Sequence, residues 1–286
     1  MFSILIPSFN NLNYLKLCLK SILNNSKKNH EIIIHVNEGS DGTLEYVKQN
    51  NLKHTFSNKN VGLCTAINSA AKLSSTQYIL YAHDDMYFCP GWDQHLINEV
   101  NKIGHNNFYL SGTMIEPNSG HIMFNCGENI ETFDEKKLLS NYNNLNFYNH
   151  QGAHFAPHLV TKELWNKVGG FSEEFNPGIA SDPDFNMKLW NQGVRIFKGL
   201  ANFKVYHFGS ITTRKKSGFI QNRGDKTFLK KWGISTKFFK KYYLKTKTKY
   251  TGPLDEPKIT LNYLFQLILC KIKKTFTILF CLKHYF

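Results

Sequence analysis

The sequence lacks most of the short signals that would fix a function at a glance. Its six cysteines, Cys18, Cys64, Cys89, Cys126, Cys270 and Cys281, form no CxxC pair and stand at no His spacing suited to zinc. A disulfide framework or structural metal site is therefore not expected, and a reducing, cytoplasmic setting is. No G-x-G-x-x-G follows the first apolar run and no Walker lysine motif occurs, which sets dinucleotide and nucleotidyl-transfer chemistry low in rank. Negative charge is scarce: 21 Asp and Glu stand against 35 Lys and Arg, a formal charge of +14, so the surface attracts anions. With no finger, zipper or other module to organise base contacts, phosphate or acidic lipid is the expected partner rather than nucleic acid. Met1-Phe2-Ser3-Ile4-Leu5-Ile6-Pro7 carries no basic leader and no cleavage site, so no secretory signal is expected.

What is present suffices for a full core, with 286 residues of which 42% are hydrophobic. The first hundred residues alternate short apolar runs with helical patterns, as a βαβ series does. Strands are predicted at 2–6, 31–36, 54–57 and 78–82, with helices at 12–23, 43–49 and 63–73 between them. This is the outline of a doubly wound parallel sheet. Farther on, strands are predicted at 108–112 and near 121–125, and an asparagine-rich loop at 141–149. Strand pattern returns at 155–160, 195–198 and 203–207, helical pattern at 162–168 and 183–191. Trp165, Trp190 and Tyr206 are read as core.

The last segment differs. From 259 to 282, Leu261, Leu264, Phe265, Ile268, Ile272, Phe276 and Leu279 recur at helical spacing, while Lys271, Lys273 and Lys274 fall off that stripe. Three lysines make spanning a bilayer costly, whereas lying in its interface directs them to phosphate headgroups. The alternative is a helix that packs its stripe on the domain or on a second subunit.

Open α/β sheets bind ligands beyond the carboxyl ends of their strands, so the segments after the first, second and fourth strands matter most. They read Pro7-Ser8-Phe9-Asn10, Asn37-Glu38-Gly39-Ser40-Asp41 and His83-Asp84-Asp85. Adjacent carboxylates after an apolar strand suit a divalent cation bridging a diphosphate; alone, they fit better a turn that caps the helix near Trp92. Asn60-Val61-Gly62 with Asn68, Val168-Gly169-Gly170-Phe171, Ser181-Asp182-Pro183-Asp184 and Val205-Tyr206-His207-Phe208-Gly209-Ser210 follow in order. Together these motifs resemble glycosyltransferase family 2 over roughly residues 2–215.

The resemblance implies a GT-A-like α/β domain with a central, mostly parallel twisted sheet and an inverting, metal-dependent sugar transfer. The donor would be a nucleotide diphosphate sugar, the acceptor a hydroxyl of a surface glycan or glycolipid, the cofactor Mn²⁺ or Mg²⁺. It places Pro7, Ser8, Glu38 and Asp84 at the nucleotide sugar, Asp85 and His207 on the metal, and Asp182 as general base. Four positions depart from the family's pattern: His83 stands at the first acidic position of its metal motif, Glu38 replaces an Asp, Ser181 replaces a Glu, and Ile67 lies where a basic residue often precedes Asn68. The first weakens His83 as a ligand; the second leaves a pyrimidine base as a leaning. Asp182 before Pro183 is also a good helix N-cap. The expected organisation is a catalytic domain at 1–215, with its nucleotide-binding part at about 1–100 and its acceptor side at about 101–215. A basic helical extension at 216–258 and an amphipathic helix at 259–286 follow. That last helix gives an anionic membrane surface as a further expected partner, with the protein cytoplasmic and peripheral at the inner face of the membrane.

Overall fold

The structure is a computed structural model that describes residues 1–209 and 221–282. Ser210, the 215/216 boundary and the side chain of Leu279 lie outside the described part. The nucleotide half follows the βαβ reading: β1 (Ser3–Phe9), α1 (Leu12–Asn25), β2 (Glu31–Asn37), α2 (Thr43–Gln49), β3 (Lys53–Ser57), α3 (Leu63–Ala71) and β4 (Tyr78–Tyr81). Then come β5 (Met86–Phe88), α4 (Trp92–Ile103), β6 (Phe108–Glu116), β7 (Ile122–Met123), α5 (Glu135–Asn141), β8 (His150–Gln151), β9 (His158–Thr161), α6 (Lys162–Val168), α7 (Ser181–Asn191), β10 (Ile196–His207), α8 (Gln221–Trp232) and α9 (Leu261–Leu282).

The sheet runs β3-β2-β1-β4-β9-β6-β10-β5. Strands β1 to β4 pair in parallel, but β9 is antiparallel to both β4 and β6, and β5 is antiparallel to β10. The sheet is therefore parallel in its nucleotide half and mixed beyond it, a refinement of the doubly wound outline. The two strands expected at 195–198 and 203–207 are one strand, whose register against β6 shifts between Gly199 and Lys204. The polar and glycine residues of that shift interrupted the apolar pattern without ending the pairing.

Two side-chain clamps join the halves. Asn68 donates from Nδ2 to the Phe171 carbonyl and accepts at Oδ1 from the Phe171 amide, at 2.8 and 2.9 Å. Gly170, with φ +61°, passes so close that a Cβ there would sit 2.4 Å from Asn68 Oδ1, which accounts for glycine at that place. Asn176 Oδ1 accepts from the Cys64 amide at 2.9 Å, and its Nδ2 donates to Thr65 Oγ1 at 2.8 Å. The Asn68 and Gly-Gly-Phe motifs thus hold the fold together.

The extension expected at 216–258 shares the main core through Phe228, Leu229, Ile234, Phe238, Phe239, Leu244 and Leu254. It is tied to α7 at the fully buried Asp184, which accepts from Ser172 Oγ at 2.6 Å and Trp232 Nε1 at 2.8 Å and pairs with Lys231 Nζ at 2.9 Å. Asp184→Ala leaves these donors without their acceptor and is expected to cost about 2–4 kcal/mol of stability. A denaturant midpoint unchanged from wild type would contradict this assignment.

Helix α9 packs through Tyr263, Leu267 and the buried Cys270. The stripe singled out from the sequence faces away: Leu261, Leu264, Phe265, Ile268, Ile272 and Phe276 are all exposed. The alternative that this stripe packs on the domain is therefore corrected. The helix carries enough apolar residues for two faces, and the domain takes the one the periodicity did not single out. Among the described residues no helix is long and apolar enough to cross a membrane.

Candidate active site

Strand β1 pairs with β4 only as far as Leu5 opposite Tyr81, and Pro7 lies just past that point while still facing His35 of β2. A proline has no N–H to give a ladder, so it suits the place where β4 leaves and the sheet opens. Beyond it, Asn10 and Glu38 both adopt positive φ, at 46° and 61°, a costly conformation for residues with a Cβ. Asn10 Nδ2 donates to Glu38 Oε2 at 3.1 Å, and Asn10 Oδ1 accepts from the Ser40 amide at 3.0 Å. The Glu38 carboxylate is thus held at the mouth of the opening. Asp41 has a structural task, accepting from the Leu12 amide at 2.8 Å and from Thr43 Oγ1 at 2.6 Å.

After β4 the chain runs through His83, Asp84 and Asp85 into β5. None of them caps α4, whose N-cap is Gly91, so the capping alternative for the acidic pair does not hold. Asp84 is buried; burial first, then the neighbouring Asp85 charge, push its carboxyl up, against opposing contacts with Ser8 and Asn11. Strand β10 lies between β6 and β5, and its last residue, His207, meets an acid from each side. His207 pairs with Met86, next to Asp85, while Tyr206 pairs with Ile115, next to Glu116. His207 Nδ1 lies 2.6 Å from Glu116 Oε1 and Nε2 lies 3.4 Å from Asp85 Oδ1. Burial disfavours the imidazolium, but Asp85 and Glu116 outweigh it and hold its pKa up at about 10. His83 Nδ1 is 3.9 Å from Asp85 Oδ1, and burial, against the pull of Asp85, lowers its pKa to about 4. It is a neutral donor at pH 7.

One ligand atom each from His83, Asp85 and His207 lie within 4.8 Å of one another. His207 Nε2 is buried with no hydrogen bond of good geometry. Two imidazoles and a carboxylate so arranged fit a divalent transition-metal ion. The structure thus draws His83 into a set from which its departure from the motif had set it apart. Glu116 was not anticipated, because β6 runs four residues past the strand end expected at Gly112. Its other oxygen accepts from Ser119 Oγ, so the carboxylate that orients His207 is itself oriented, an arrangement typical of metal-bound histidine.

Asp182 approaches from α7. The helix begins at Ser181, with Ala180 at φ 64° as its N-cap and no side-chain capping bond. The N-cap reading of Asp182 is therefore corrected: it sits inside the first turn, and Ser181 Oγ donates to the Gly178 carbonyl at 2.6 Å. Asp182 Oδ1 is buried and has no hydrogen-bond partner among the described residues. Burial raises its carboxyl to about 7, close to the pH at which a general base works best.

A cavity of about 360 Å³ collects these groups: His83, Glu116, Asp182 and His207 line it. Pro7, Ser8, Glu38, Asp84 and Asp85 do not line it; they lie at the carboxyl ends of β1 and β2 and in the turn between β4 and β5. The far wall comes from Asp225, Thr236 and Lys240 of the extension, with Thr236 Oγ1 donating to Asp225 at 2.8 Å. No motif marked these three beforehand.

The profile of "Glycosyl transferase family 2" matches residues 3–163. An uncharacterized glycosyltransferase of Rickettsia typhi is 29% identical over 200 residues, 68% of this chain and 58% of that protein. The chain spans little more than half the length of the curated relatives it matches first. Among solved structures, S. aureus TarS 1–349 in complex with UDP-GlcNAc superposes with a TM-score of 0.54 at 15% identity, covering 94% of this chain and 79% of that one. GalNAc-T7 with UDP, GalNAc and Mn²⁺ superposes with a TM-score of 0.55 at 14% identity, covering 72% and 43%. At such identities the likeness is one of fold.

Proposed function

The chain belongs to glycosyl transferase family 2, and from that premise we propose that it moves a sugar from a nucleotide diphosphate carrier to a hydroxyl of a glycan or glycolipid, with inversion and with a divalent cation. The observation that carries this reading is the unpartnered, buried Asp182 oxygen, whose residue lines the same cavity as His83 and His207, two members of the cluster that Asp85 completes. A sugar hydroxyl is a poor nucleophile until its proton is taken, and Asp182 is the acceptor for that proton. Attack from the side of Asp182, opposite the departing diphosphate, inverts the anomeric carbon.

Asp85, His207 and His83 would hold the cation, which when bound neutralises charge on the leaving diphosphate. Two imidazole donors favour Mn²⁺ over Mg²⁺, and the presence of Mn²⁺ with UDP and GalNAc in the GalNAc-T7 structure supports the same choice. Glu116 keeps the Nδ1 proton of His207 in place, so that a cation would bind at Nε2 by displacing the proton that nitrogen holds beside Asp85. Glu38 accepts a hydrogen bond from the base edge, with Pro7 and Ser8 along the nucleoside and Asp84 toward the ribose. The UDP-GlcNAc bound by TarS supports a uridine donor. The setting proposed is the cytoplasm.

Hydrolysis of a panel of nucleotide sugars by the purified chain with Mn²⁺, Mg²⁺ or EDTA tests the reading without an acceptor. Cleavage of one donor with Mn²⁺ and its loss in EDTA are expected. Donor bound but left intact, with or without added acceptors, would instead favour a second reading: a glycan- or nucleotide-sugar-binding protein that keeps the fold without turnover, for which His83 and Ser181, in place of acidic residues, are the grounds.

A further inference from the structure

On α9 the exposed stripe and the packed face are opposite one another. At 3.6 residues per turn, Leu261, Leu264, Phe265, Ile268, Ile272 and Phe276 fall on one side, and Tyr263, Leu267 and Cys270 on the other. The helix is therefore already seated on the domain with its second apolar face turned outward, a stripe about 22 Å long. Monomeric surfaces rarely leave so much contiguous apolar area uncovered. Lys271 and Lys273 flank the stripe on its two sides, both exposed. That is where a long cationic side chain reaches from an apolar contact to a headgroup phosphate.

The charge of the whole chain is concentrated here. Residues 221–286 carry 15 of the 35 Lys and Arg but only 3 of the 21 Asp and Glu. A second copy of this chain would bring the same positive charge against itself. An anionic lipid surface complements both features at once, apolar at depth and negative at the level of the lysines.

We propose that α9 lies in the plane of an anionic membrane surface, with Leu264, Phe265, Ile268, Ile272 and Phe276 sunk between the headgroups and Lys271 and Lys273 paired with phosphate. The domain keeps its own contacts with Tyr263, Leu267 and Cys270, so docking requires no unpacking of the fold. The inference goes beyond the transferase reading and stands independently of it, since vesicle binding involves neither donor nor cation.

The test is flotation of the full chain with vesicles of phosphatidylcholine alone and of phosphatidylcholine with about one third phosphatidylglycerol, at low and high salt. Wild type is expected to bind the anionic vesicles about tenfold or more tightly than the neutral ones. Phe265→Ser with Ile272→Ser, both at exposed positions, is expected to lose about tenfold or more on anionic vesicles while keeping the circular dichroism and unfolding midpoint of wild type. Lys271→Gln with Lys273→Gln is expected to weaken the preference for anionic over neutral vesicles. Stripe variants that bind as wild type, or wild type that ignores both vesicles, would overturn the proposal. So would a wild-type dimer that the serine variant turns into a monomer, because the occupant of the stripe would then be a second copy.

Discussion

Asp182→Asn is expected to lower sugar transfer by about 10³-fold while leaving donor affinity within about twofold. The substitution preserves shape and removes only the capacity to take a proton, at an oxygen with no other partner among the described residues. The same substitution is expected to stabilise the protein at pH 8, by on the order of 2 kcal/mol. The sign follows from burial, which raises the carboxyl from its ordinary value to about 7. The folded chain thus holds this proton more firmly than the unfolded one. Wild-type stability is intact below about pH 4 and declines as pH rises toward 7, where the buried carboxylate must carry charge. The asparagine variant escapes that decline, so the two unfolding midpoints converge near pH 4 and separate at pH 8. Wild-type activity should rise through about pH 7 as the base form appears. An Asn variant that is equally active, or less stable at pH 8, would remove Asp182 from its role.

The second large effect concerns His207. His207→Ala is expected to weaken Mn²⁺ binding by about 10²-fold or more, and Glu116→Ala by about tenfold, with Glu116→Gln retaining most of the affinity. The order follows from the geometry: His207 faces Asp85 through Nε2, whereas Glu116 acts only on Nδ1, at 2.6 Å. Glutamine still offers an oxygen to that N–H. Electron paramagnetic resonance of free and bound Mn²⁺ reads these differences without any turnover, so a loss of affinity is separated from a loss of chemistry. Equal affinities in wild type and His207→Ala would place the cation elsewhere.

Much of this arrangement was legible beforehand, for reasons that differ between residues. The limits of α2 and α6 coincide with the sequence reading, because Gly42 before one and Gly169 after the other break a helical pattern cleanly. Asp85, Asp182 and His207 were legible as members of ordered motifs. His83 was set apart because a motif compares residue types along a line, whereas in the structure one of its ring nitrogens stands within 4.8 Å of ligand atoms of Asp85 and His207. Glu116 was hidden by a strand that continued through Ser111 and Thr113, both buried polar residues that an apolar pattern does not count. Asp225, Thr236 and Lys240 reach the cavity because the Asp184, Lys231 and Trp232 contacts, together with Phe228, Phe238 and Phe239 in the main core, fold the extension back onto the domain, and no local pattern encodes a return of that kind. The outward stripe of α9 was legible as a stripe but not as outward, since periodicity names a face without naming what it meets.

The register shift in β10 decides which kind of nitrogen Glu116 meets. Between Gly199, opposite Ser111, and Lys204, opposite Thr113, β10 spends three more residues than β6, accommodated by Thr113 Oγ1 donating to the Leu200 carbonyl and by Asn149 Oδ1 accepting from the Ala201 amide. Counted straight on from Gly199 without that excess, the residue beside Glu116 would be Lys204. Lysine there would form an ordinary salt bridge through its single nitrogen, with no second nitrogen left to face Asp85. The detour instead delivers an imidazole, which can give one nitrogen to a carboxylate and keep the other for a cation. A local irregularity of pairing is thus what puts an imidazole, rather than an ammonium, where the proposed cation would be held.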